Sequence, residues 1–92
     1  MSLKIVPVPN NSEIVDIAKK LFKKVTPCLE ILIQENKHIK NDVVISGMHR
    51  GLTDLYEFSC MSLIDASEDK QEAKKAIFEY MEYIKRKIEK NV

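Results

Sequence analysis

Glycine and proline are scarce in this chain, two of one and three of the other in 92 residues. So few breaks argue against a sandwich or barrel of many short strands and favour long helices. Long apolar runs are missing as well. No stretch approaches the roughly 20 consecutive apolar residues that a bilayer-spanning helix needs, which excludes an integral helical membrane protein. Charge of one sign is lacking too: fifteen basic against fourteen acidic side chains leave a net +1. That balance speaks against the general basicity of a nonspecific nucleic-acid binder and leaves room only for a local patch.

Cysteine is limited to Cys28 and Cys60. Both fall in apolar helical stretches and not in a small disulfide framework, and no cleavable leader precedes them, so the expected setting is the reducing cytoplasm. The length suits one domain around one core, with an arm at 1–12 and a helical domain at 13–92.

What is present is helical periodicity. Pro7 and Pro9 keep residues 4–9 extended, so they form an arm whose Ile5, Val6 and Val8 lie across the domain or exchange with another protomer. Asn10, Asn11 and Ser12 supply an N-cap. A first helix is predicted over 13–25 from Ile14, Ile17, Ala18, Leu21, Phe22 and Val25, spaced at three- and four-residue steps. Thr26 and Pro27 read as a break and a fresh N-terminus. The second helix, running to about Lys37, carries Cys28, Leu29, Ile31, Leu32 and Ile33 over more than one face and should be the most enclosed.

A polar loop is expected over 36–42, with Asn41 or Asp42 capping a helix over 43–64. Val43, Val44 and Ile45 allow a short strand instead, although one strand without a partner has little to pair with. Gly47 and Gly51 lie four apart in this helix, where each costs roughly 1 kcal/mol relative to alanine. Close helix contact is one explanation, and a break near Gly47 is the other. Asp65 and Glu68 have capping-box spacing, with Ser67 an alternative cap, ahead of a last helix of about 23 residues. Its stripe runs through Ala73, Ala76, Ile77, Tyr80, Met81, Ile84 and Ile88. The fold class is therefore all-α, a small antiparallel helical bundle of three long or four to five shorter helices with an extended N-terminal arm.

Chemistry-bearing groups are few. Cys28, His38, His49 and Cys60 invite a zinc reading, but structural zinc ligands pair at two to five residues, and these stand ten or eleven apart. His49 and Cys60 on one straight helix would be roughly 16 Å apart, beyond the reach of one ion. No metal and no cofactor is expected. His49, Arg50, Asp54 and Glu57 form the densest polar cluster, with Arg50 in reach of Asp54 one turn on. Without a nucleophile elbow, phosphate loop or HExxH motif, that cluster reads as surface ion pairs and not as a catalytic centre.

Lys19, Lys20, Lys23 and Lys24 make a compact positive patch on the outer face of the first helix, suited to phosphate or another anion. No arginine or aromatic residue is interleaved to read or stack bases. Residues 54–82 carry eight acids against three lysines, while 13–25 carries two acids and four lysines. That polarity can orient helices or pair protomers. Phe58, Phe78 and Tyr83 lie beside the main stripes and widen the apolar surface, which marks them as interface residues. The sequence thus points to a non-enzymatic protein–protein interaction or regulatory module. It is expected to homodimerise through an apolar helix face and to bind another protein. The alternative is a small nucleic-acid-binding regulator using the lysine patch.

Overall fold

A computed structural model describes residues 11–92; the N-terminal arm reading concerns residues outside this range, apart from its last two. Three α-helices account for nearly all of it, α1 (Ser12–Glu35), α2 (Asn41–Ala66) and α3 (Lys70–Asn91), and no strand occurs among the described residues. Val43, Val44 and Ile45 are helical, which decides the strand-or-helix alternative.

Helix α1 starts where its cap dictates. Asn11 is extended, with φ −63° and ψ 137°, and its Oδ1 accepts from the Glu13 N–H at 2.8 Å. One of the unpaired donors of the first turn is satisfied in this way. The expected break at Thr26–Pro27 does not occur: α1 passes through Pro27. Proline removes the intrahelical bond to the Lys23 carbonyl at a penalty of about 3 kcal/mol. The apolar stripe keeps its phase across that point, with Val25, Thr26 and Leu29 half-buried, so one unbroken rod retains packing that a break would lose. Thr26 also turns inward on the helix, its Oγ1 donating to the Phe22 carbonyl at 2.8 Å.

The segment expected to be the most enclosed is not so. No residue of α1 is buried, and Ile31, Leu32 and Ile33 are all exposed. Apolar side chains on several faces require several neighbours, and this segment has too few among the described residues.

Asn36 ends α1, its Nδ2 donating to the Leu32 carbonyl at 2.8 Å, and residues 36–40 turn the chain into α2. Asp42 lies in the first turn of α2 and accepts from the Val43 N–H at 2.9 Å, where a carboxylate also suits the helix dipole. Helix α2 then continues for 26 residues without a break at Gly47, so the segment is one helix and the described residues form three helices, not four or five.

The cap of the last helix is Asp69, not Asp65 or Ser67. Its carboxylate accepts from the Gln71 and Glu72 N–H groups, both at 3.1 Å. Asp65 is instead part of α2, which continues past it to Ala66, and Glu68 precedes α3. Lys70 closes the other side of this corner: its Nζ donates to the carbonyls of Ile64 and Asp65 at 3.3 and 3.5 Å, satisfying the exposed end of α2.

Two compact units divide at Tyr56–Glu57. The first, residues 11–56, holds α1 and the start of α2. The second, residues 57–92, holds the end of α2 and α3, and it contains the three buried apolar side chains found among the described residues: Ala73, Ala76 and Ile77. They fall on one face of α3 at three- and four-residue spacing, with Tyr80 and Ile84 half-buried along the same line. Cys60, Leu63 and Ile64 are half-buried on α2 in the same unit.

Candidate interaction surface

In the first unit the apolar face of α1 and that of α2 enclose an open groove of about 530 Å³. Val25, Cys28, Leu29 and Leu32 form one wall, and Asn36 and Ile39 close the end at the turn. The other wall comes from α2: Val43, Val44, Gly47, Met48, Gly51, Leu52 and Leu55. No charged side chain lines it among the described residues. Val25, Leu29, Val44 and Met48 are half-buried, whereas Leu32, Leu52 and Leu55 remain exposed at the rim.

Both glycines open onto this groove. A Cβ built on Gly47 or on Gly51 meets no heavy atom within 4 Å beyond its own helix backbone and chain neighbours. The close helix contact that the glycine spacing suggested is therefore not made among the described residues. Sequence reasoning found the two positions through their helix-propensity penalty, but it did not find the groove they floor.

The three aromatic residues read as interface residues all lie in the second unit. Phe58 on α2 is 72% exposed, and on α3 Phe78 is 62% and Tyr83 39% exposed. Phe78 and Tyr83 are five residues apart, about 140° around the helix. Both line a shallow depression along α3, together with the charged Lys74, Lys75, Glu79, Glu82 and Arg86. Tyr83 also lies against Tyr80, ring centres 5.9 Å apart and tilted by 32°. This surface is amphipathic, unlike the groove.

The polar cluster resolves into one ion pair. Arg50 Nε meets Asp54 Oδ1 at 3.1 Å, one turn apart and both well exposed. No bond from Arg50 to Glu57 is formed, and the His49 carbonyl accepts from Thr53 Oγ1 at 2.8 Å. Lys19, Lys20, Lys23 and Lys24 are all exposed, and none is ion-paired among the described residues. Cys28 and Cys60 are free thiols, Cys28 exposed and Cys60 half-buried. Among the described residues no three of His, Cys, Asp and Glu come together so as to hold a metal ion, and no helix is long and apolar enough to cross a membrane.

No protein-family model, curated protein or solved structure matches the chain.

Proposed function

We propose that this chain is a non-enzymatic interaction module of regulatory type, which works by offering apolar helix faces to other chains, copies of itself among them. One observation carries the reading. Among the described residues nineteen large apolar side chains are exposed, whereas three apolar side chains are buried, two of them alanine. Monomeric proteins rarely leave contiguous apolar patches of more than a few hundred Å² in water, and larger ones mark association sites. Phe58, Phe78 and Tyr83 belong to this exposed set and serve as contacts to a further protein. The two free thiols suit the reducing cytoplasm as the place of action.

Thermal unfolding followed at 5 and 200 µM protein tests the reading. Association that favours the folded chain makes the midpoint rise with concentration by mass action. An unchanged midpoint, together with a Phe78→Ser variant unaltered in stability and binding, contradicts it.

A second reading rests on the four exposed lysines of α1, none of them ion-paired among the described residues. In it the patch contacts phosphate and the chain is a small nucleic-acid-binding regulator. Binding to random duplex DNA at 50 mM salt, weakening linearly on a log-log salt plot, supports this reading. Absence of binding under those conditions removes it.

A further inference from the structure

The groove of the first unit has the properties of a self-complementary surface. We infer that it is a homodimer interface, closed across a two-fold axis by the same groove of a second copy, so that two α1–α2 pairs form a four-helix layer. This inference rests on the self-association reading above and names the face that performs it.

Area is the first argument. Along the groove and its continuation through Ile14, Ile17 and Leu21, eight large apolar side chains are between 37% and 66% exposed. If full burial of each corresponds to roughly 100 Å², they present about 400 Å² of apolar surface. That is the size of the largest patch a monomer usually carries, and because about 65% of a homodimer interface is apolar, two such faces correspond to roughly 1,200 Å² in all, where stable interfaces begin. Helix pairs joined by short turns commonly cover such faces by bundling.

Charge is the second. A two-fold axis brings a surface against itself, so any charge near the axis meets its own sign. The groove contains none. Lys19, Lys20 and Lys23 stand about 130–170° around the helix from the centre of the Val25, Cys28, Leu29 and Leu32 wall and remain in water when that wall is covered, and Lys24, about 90° away, lies at its edge. Ile14, Ile17 and Leu21 share the wall's side of α1 and are exposed, which extends the same face toward the start of the helix.

The groove's own residues supply the tests. In a double variant, Gly47→Leu with Gly51→Leu, neither new Cβ meets another part of the described residues within 4 Å beyond its own helix backbone and chain neighbours, and leucine favours helix, so α2 should persist by far-ultraviolet dichroism. The side chains would occupy the space claimed for the second copy. Size-exclusion chromatography with light scattering at 100 µM should give twice 10.6 kDa for the unmodified chain and 10.6 kDa for the variant. Cys28 gives a readout that does not depend on the variant folding. With Cys60 replaced by serine, maleimide labelling of Cys28 should be at least about tenfold slower than in 6 M urea, although this thiol is exposed in the single chain.

A dimer that persists in the double variant while Cys28 labels at its urea rate overturns the groove as interface and leaves self-association standing through another face. A single-chain mass for the unmodified protein at 100 µM overturns both.

Discussion

Gly47 and Gly51 stand one turn apart on α2 and face the same groove, and among the described residues a methyl group on either touches nothing beyond its own helix backbone and chain neighbours. In a lone chain such glycines bring only a conformational penalty. A neighbour packed against them gives that penalty a purpose. Gly51→Ala should therefore keep or raise the helical signal at 222 nm while overpacking the dimer by roughly 1–3 kcal/mol, about tenfold or more in the dissociation constant. Sedimentation at graded concentrations reads that change directly. Association as tight as that of the unmodified chain would mean that the groove is not in contact.

Ile77 and Phe78 are sequence neighbours with opposite surroundings, one 5% and the other 62% exposed. Ile77→Ala should cost about 2–5 kcal/mol in urea unfolding, because it empties space between α3 and its neighbours. Phe78→Ser should change stability by no more than about 0.5 kcal/mol at concentrations where the chain is dissociated. Equal losses for the two would refute the assignment of the buried face of α3.

Pro27 sits inside α1, so replacing it should stabilise the helix. Pro27→Ala restores a donor for the Lys23 carbonyl and removes a ring clash, together up to about 3 kcal/mol. A rise in thermal midpoint is the expected result. A fall would mean that a bend at this proline serves the packing of the native state.

Asp69 caps α3 through two backbone N–H groups. Asp69→Ala should cost about 1 kcal/mol, and Asp69→Ser should recover much of it, because a serine hydroxyl accepts the same bonds. Denaturant midpoints for the two variants check the order. The corresponding change at Asp65, inside α2, should have a much smaller effect.

These residues also show how far the sequence can be read. The 3.6-residue recurrence of apolar side chains predicts helix through all three rods, although the reading divides α1 into two helices, because that period survives whatever packs against it. Local signals are weaker guides. Thr26–Pro27 has the form of a helix start, yet the stripe from Leu21 to Leu32 keeps its phase through it, and packing outweighs a local preference. Asp65 and Asp69 are both competent caps, and the choice falls to Asp69 because half-buried Leu63 and Ile64 hold the end of α2 helical. The Gly47–Gly51 pair is visible in the sequence, but not the direction it faces, since that depends on which side of α2 meets α1. The aromatic residues are recognisable as exposed from their place off the stripe. That Phe78 and Tyr83 line one depression together with charged side chains emerges only once the phase of α3 is fixed by Ala73, Ala76 and Ile77.

Sedimentation equilibrium of the unmodified chain between 1 and 100 µM is the most direct examination of the central claim, that helix faces left open in one chain are covered by another. The weight-average mass should climb with concentration toward twice 10.6 kDa, or already stand there. A mass fixed at 10.6 kDa throughout, in a chain that remains helical, would contradict the account.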